Sequence, residues 1–230
     1  MDNRINVLDI NIDKLTAKEA MKRFIEFLGT EPVDVIELVT AESLMQMDEM
    51  PGLKTQADSF EMVLAGETTI LKSAGIQDKN TLSETEKQVF LKMMFRYLHR
   101  NHKRVYLLVD TQEQGEELYD YLERSYYNIQ VGGMAKVAAE DRADDMIVNA
   151  VNGAEVDCVI SVMSAPLRED FILNNRNRLN ARVWLGVGGE LPSQKQTGIG
   201  QRRFSRFLIK KLFQKEVERR KRDISNSLVQ

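Results

Sequence analysis

VDCVISVM, Val156 to Met163, is a continuous apolar run of the kind that forms a central parallel strand buried on both faces. Ahead of it, ADDMIVNAVNGA reads as a helix ending near Gly153. Behind it, APLREDFILNNRNRL reads as a helix after Pro166, and ARVWLGVGG as a last strand with a glycine-rich exit. Further out the alternation continues. RVYLLV is a strand, and TQEQGEELYDYLERSY a helix that Thr111 and Gln114 cap. NIQVGG is a short strand before a Gly-Gly turn, VDVIELVT a strand ending at Thr40, and FEMVLAG a further strand. AESLMQMDEM, between the last two, is a short helix stopped by Pro51-Gly52. Alternating β and α segments predict a parallel, doubly wound sheet.

The other segments fill in around this frame. INVLDINI alternates apolar and polar residues and reads as one strand. TAKEAMKRFIEFL follows as a helix with a Thr16/Glu19 capping box. ILKSAGIQDKN is irregular, and SETEKQVFLKMMFRYLHRN is one strong helix that Ser83 and Glu86 cap.

Of the 230 residues, 43% are hydrophobic and 29% charged, which suits an ordinary globular body. A net charge of −3 carries no nucleic-acid signature. The charge is uneven, however. From Ile199 to Gln230 there are ten Lys/Arg and three Asp/Glu, about +7, which leaves about −10 for the rest. The chain therefore divides into a body, 1–198, and a basic amphipathic tail, 199–230, with Gly198 and Gly200 as a hinge. In the tail, apolar residues such as Phe204 and Phe207 alternate with Arg202, Arg203, Lys210 and Lys211. Three roles are open for that stripe: a membrane-surface helix, intramolecular packing, or a face for another protein. The single cysteine, Cys158, excludes an intrachain disulfide. The polar N-terminus and the lack of an apolar run of about 18 residues predict a cytoplasmic protein, peripheral at the inner membrane face if the tail binds lipid.

Several residues could carry chemistry. Gly132-Gly133 and Gly186-Val187-Gly188-Gly189 each end a predicted strand, where bare N–H groups receive phosphates or sugar hydroxyls, or simply allow a tight exit. The chain lacks G-x-x-x-x-G-K-[ST] and has no G-x-G-x-x-G after its first strand, which argues against ATPase and dinucleotide sites. His99 and His102 read as a solvated helix end and Cys158 as core, so no metal site is expected. Ser164, Arg168, Glu169 and Asp170 follow the most buried strand, where open α/β sheets bind ligands. Arg168 pairs there either with a diphosphate or with one of the acids at the helix start. Glu42, beside Thr40, and Glu67, in VLAGETTIL, are strand-end carboxylates able to act as acid or base.

Three phrases in order, VTAESLMQM, ADSFEMVLAGETTIL and APLREDFILNNRNRLNARVWLGVGGEL, resemble the WecG/TagA/CpsF family of bacterial glycosyltransferases. INVLDINIDKLTAKEAMKRFIEFL and RVYLLVDTQEQGEELYDYLERSYYNIQVGG extend the resemblance over nearly the whole chain. It implies a Rossmann-like α/β body, a mostly parallel sheet with helices on both faces, and a basic C-terminal helical appendage that touches the membrane and helps complete the site. It implies inverting transfer of N-acetylmannosamine, or a related amino sugar, from a UDP-sugar to an undecaprenyl-diphosphate-linked acceptor, with no metal requirement and no cofactor beyond the donor itself. Thr40, Pro166, Glu169 and Gly186 to Gly189 match the family pattern; together with the strand-end readings above, the substrate-binding candidates are Thr40, Gly66, Gly132, Ser164, Pro166, Arg168, Glu169, Gly186, Gly188 and Gly189.

The chain departs from that pattern at polar positions. Glu42 replaces an asparagine, and Ala65 replaces the aspartate taken as catalytic base. Val109-Asp110 replaces Gly-Gly, Val162 and Ser164 replace glycines, and Leu167-Arg168 replaces Lys-Gln. An arginine-bearing loop expected after the third strand is not visible. Two functions fit. One is a divergent transferase in cell-surface polysaccharide synthesis, with Glu67 or Glu42 as substitute base. The other is a non-catalytic relative, a nucleotide-sugar sensor or membrane-surface scaffold, partnered by a second copy or an active paralogue.

Overall fold

The computed structural model describes residues 4–140, 142–188 and 201–227, with side chains in the last segment at 207–223 and 226. The chain opens not with one strand but with an antiparallel hairpin, β1 Arg4–Val7 and β2 Ile10–Asp13. Leu8 and Asp9 make its two-residue turn at φ 52° and 60°. Two left-handed residues match the twist of a tight hairpin, and without Gly or Asn there the sequence gives no turn signal. The hairpin is held to the body by Asp13. Its buried carboxylate accepts the Val63 N–H at 2.9 Å and pairs with Arg4 at 3.1 Å and Arg23 at 3.4 Å.

Six further strands form one all-parallel sheet: β3 Asp34–Val39, β4 Met62–Ala65, β5 Arg104–Val109, β6 Gln130–Lys136, β7 Cys158–Ser161 and β8 Val183–Val187. Their order is β4-β3-β8-β7-β5-β6. VDCVISVM thus supplies an inner strand, with every β7 residue buried. Helices α1 Ala17–Phe27, α6 Val89–Arg100 and α7 Gln112–Ser125 cover one face. The other face carries the hairpin, α2 Ala41–Asp48, α3 Pro51–Ala57, α4 Thr68–Ser73, α8 Asp144–Gly153, α9 Leu167–Asn175 and part of α10 Gln201–Ser227. Together they make a Rossmann-like α/β body with a C-terminal helix.

Three local expectations need correction. NIQVGG is not a strand followed by a turn, because β6 runs through both glycines to Lys136. Gly133 sits at a register shift where a Cβ would meet the Tyr106 ring at 2.5 Å, so the glycine makes room for the aromatic. ILKSAGIQDKN is not irregular throughout, since α4 holds its first part and Gly75, at φ +85°, ends that helix. SETEKQVFLKMMFRYLHRN is split between α5 Lys79–Glu86 and α6, which meet at Gln88 with φ 51°. The cap of α5 is Asp78, whose carboxylate accepts from Thr81 N–H at 2.7 Å, and Ser83 and Glu86 lie inside that helix.

The tail helix α10 lies against α2 and α4. Phe213 is fully buried and Val217 nearly so. Arg220 adds ion pairs to Asp9 at 2.7 Å and Asp48 at 2.6 Å. Phe207, Leu208 and Leu212 remain exposed on the same helix, and Lys211 Nζ stands 4.5 Å from the centre of the Phe207 ring. Among the described residues, no helix is long and apolar enough to cross a membrane.

Candidate active site at the carboxy edge of the sheet

Parallel strands deliver the residues that follow them to one edge. There the exits of β3, β4 and β8 press together. Gly66 N–H donates to the Val39 carbonyl at 2.7 Å, and Gly188 N–H to the Leu38 carbonyl at 2.9 Å. A Cβ on Gly66 would lie 2.9 Å from Val39 O and 3.5 Å from Gly188 O. Gly66 is therefore required by backbone contact between strand exits, before any ligand is considered. Thr40 caps α2: its hydroxyl accepts Ser43 N–H at 3.1 Å, while Ser43 Oγ accepts Thr40 N–H at 2.8 Å.

Glu67 follows β4 at this edge. Its Oε1 accepts the Ala41 N–H, in the first turn of α2, at 2.8 Å, and its Oε2 pairs with Lys210 Nζ of α10 at 2.6 Å. The carboxylate thus rests on the positive end of one helix and is met by a cation from another. Lys210, expected at a membrane, faces the site instead. Glu42 is exposed in the first turn of α2. Ala65 lines a narrow cleft of about 60 Å³ with Leu38, Leu71, Thr81, Glu84 and Phe90. Its walls are mostly apolar, and the Glu84 carboxylate is committed to Ala17 N–H at 2.8 Å.

Arg168 does not face the edge to meet a diphosphate. It is buried, with Nε donating to Glu37 Oε2 at 2.9 Å, Nη1 to the Met163 carbonyl at 3.0 Å, and Nη2 paired with Glu169. Glu37 also accepts the Trp184 Nε1–H at 3.1 Å. Register aligns Glu37 with Gly186 of β8, and a Cβ at 186 would overlap the Glu37 carboxylate. A Cβ at 188 would lie 3.1 Å from Arg168 Nη2 and 2.8 Å from Leu38 O. Gly186 and Gly188 thus make room for a buried ion pair. Burial, the largest influence, pushes the Glu37 carboxyl up to about 7; Arg168 opposes the rise and the Glu169 charge adds to it. Glu169 Oε2 and Ser161 Oγ have no hydrogen-bond partner among the described residues. Sequence reading passed over Glu37, although a glutamate inside the apolar strand VDVIELV signals a buried partner.

At the neighbouring crevice Asp110 follows β5. Its carboxylate accepts the Ser164 N–H at 3.0 and 2.9 Å through both oxygens, and the Ser164 hydroxyl at 2.5 Å. Pro166 is the residue before α9. Gly132 lies toward the opposite edge of the sheet: a Cβ there would meet Arg104 Nε at 3.1 Å and Val156 at 3.2 Å. It is remote from the strand exits, contrary to expectation. Gly189 and the Gly198/Gly200 hinge fall outside the described residues, as do the side chains of Arg202, Arg203 and Phe204. His99 is half-buried, its Nδ1 accepting Asn128 N–H at 3.2 Å, and His102 is exposed. Burial holds the Cys158 thiol well above its ordinary pKa.

Comparison with known proteins bears on what this edge does. The family model described as "Glycosyl transferase WecG/TagA/CpsF family" matches residues 5–193. The chain is also similar to the N-acetylglucosaminyldiphosphoundecaprenol N-acetyl-beta-D-mannosaminyltransferase of Staphylococcus aureus strain MRSA252. The two are 20% identical over 211 residues, covering 91% of this chain and 81% of that enzyme. The same identity and coverage hold for the enzyme of that name in strain NCTC 8325.

Proposed function

The chain belongs to the WecG/TagA/CpsF family of glycosyltransferases, and from that premise we propose that it transfers an N-acetylmannosamine-like sugar from a UDP donor to a polyprenyl-diphosphate-linked acceptor. The product would serve cell-surface polysaccharide synthesis. One observation carries the reading: Glu67 places a carboxylate at the strand exit two residues after Ala65, between the N-terminus of α2 and Lys210. In this mechanism Lys210 leaves Glu67 for the donor's diphosphate. Glu67 then takes the proton of the acceptor hydroxyl. That oxygen bonds to the anomeric carbon as the bond from carbon to the phosphate oxygen breaks, and UDP departs with the electron pair. A single displacement inverts the anomeric centre.

Removing a general base typically costs about 10²–10⁴ in rate. Glu67→Gln should lower UDP release from UDP-N-acetylmannosamine by that factor, whereas Glu42→Gln, with an exposed side chain, should change it little. Equal UDP release by Glu67→Gln and the unaltered protein would remove Glu67 from the mechanism.

A second reading, a non-catalytic relative that senses a nucleotide sugar or scaffolds an active paralogue or second copy, is favoured by a different observation. Arg168 and Glu169 are buried and bound to each other and to Glu37 rather than offered to a ligand. Calorimetry separates the two readings: UDP binding without any turnover supports the sensor, and turnover rejects it. In either case the exposed Phe207, Leu208 and Leu212 beside Lys211 suit contact with an anionic membrane surface. The division into body 1–198 and tail 199–230 belongs to the same proposal, with α10 completing the site while its outer face meets lipid.

A further inference from the structure

The β5/β7 crevice has a property that the Glu67 half of the edge lacks. From β5 the chain moves outward to β6; from β7 it moves the other way to β8. The loops after β5 and β7 therefore part, and such a switch point is where doubly wound sheets receive ligands, often through the bare N–H groups of the loop and the following helix. Here the loop N–H is already bound to an anion of the chain itself. Asp110 takes the Ser164 N–H with both carboxylate oxygens and the Ser164 hydroxyl with one. A second bridge crosses at the same place: Gln114 Oε1 accepts the Asp110 N–H at 3.1 Å, and Gln114 Nε2 donates to the Val162 carbonyl at 3.1 Å. The two loops are thereby stitched together, and these partners of the carboxylate are neutral groups. Among the described residues no cation pairs with this carboxylate, at a place where an incoming phosphate would need donors.

We propose that Asp110 is a specificity-determining residue that excludes anionic groups from the β5/β7 crevice. A phosphate placed there would have to displace the carboxylate from Ser164 N–H or lie against a like charge. The inference extends the transferase reading by confining the donor's diphosphate to the Glu67 half of the edge, with Lys210 and the N-terminus of α2. The crevice itself keeps hydroxyl-accepting character, suited to a neutral part of the substrate.

The test is calorimetric titration of the full chain with inorganic pyrophosphate, at low and at physiological salt. Asp110→Asn keeps the shape and an acceptor for Ser164 but removes the charge, and should bind pyrophosphate at least tenfold more tightly than the unaltered protein. The gain should shrink as salt rises. Ser164→Ala, which keeps the charge, should stay at the wild-type level. Asp110→Ser serves as a second neutral variant, with circular dichroism confirming the fold of each. Equal pyrophosphate affinity in the unaltered protein and both folded neutral variants overturns the inference, as does a gain in Ser164→Ala equal to that in Asp110→Asn. Titration of the unaltered protein with UDP is read separately. Absence of UDP binding would count against the transferase reading, while a pyrophosphate gain in Asp110→Asn would still uphold the role of Asp110.

Discussion

Glu37 lies on an inner strand with two residues of opposite demand above it: Arg168, which stabilises its charge, and Glu169, which repels it. A carboxyl whose pKa rises on folding keeps its proton in the native state where the unfolded chain has lost it. Its contribution is fully present below the ordinary value of 4.5 and is lost as pH rises through about 7. Urea unfolding across that interval should therefore show stability falling with pH, by at most about 1.4 kcal/mol per pH unit from this group. Glu37→Gln should remove that part of the slope, and an unchanged slope would refute the assignment. The glycine opposite gives a steric prediction. In Gly186→Ala the new methyl overlaps the Glu37 carboxylate, and overpacking of this kind costs about 1–3 kcal/mol. Equal unfolding midpoints for this variant and the unaltered protein would show that the pair has room to move. The family resemblance placed Gly186 and Gly188 at a ligand, but glycines near a strand end have two explanations, and only the partner that fills the missing Cβ separates them.

Elements were legible where periodicity was long and caps were ordinary. The capping box at Thr16 stands as read, and so does the run that became β7; at Thr111 only half stands, since its hydroxyl accepts Gln114 N–H while the Gln114 side chain accepts Asp110 N–H and donates to the Val162 carbonyl. Two of the misread boundaries, the hairpin turn and the α5/α6 break, share a physical cause. At Leu8, Asp9 and Gln88 the backbone turns left-handed on residues other than glycine or asparagine, so tertiary packing overrides local preference. His102 is another such residue, at φ 50° after the end of α6 and exposed. Left-handed backbone costs an L-residue about 1–2 kcal/mol, so His102→Gly should raise stability by roughly 0.5–1 kcal/mol after its greater unfolded-state freedom is counted. Thermal unfolding measures it, and a lower midpoint would mean that the histidine ring makes a contact worth more than the strain.

Across the whole molecule, charge asymmetry marked the tail as distinct, and the amphipathic stripe left its destination open. The structure divides that stripe. Phe213 and Val217 face the body, while Phe207, Leu208 and Leu212 face outward. Spacing alone could not assign them, because the partner surface on α2 and α4 is remote in sequence. Likewise no local motif joins Glu67 to Lys210 or Glu37 to Arg168. If the outward face meets lipid, replacing both Phe207 and Leu212 by serine should reduce co-sedimentation with anionic vesicles several-fold. The remaining binding should weaken with salt, through charges screened over about 8 Å at physiological ionic strength. Undiminished co-sedimentation would assign that face to something other than lipid.

The last strand of the sheet in sequence, β8, is not at its margin but between β3 and β7. On the ribosome, where chains emerge from the N-terminus, β4-β3 and β7-β5-β6 must wait as two separate half-sheets until residues 183–187 arrive to join them. The pocket of Arg168 is built from both halves, and Glu67 meets Lys210 only when still later residues are free. A nascent chain therefore holds neither the Arg168 pocket nor the Glu67–Lys210 pair until residues 183–187, and then Lys210, have emerged.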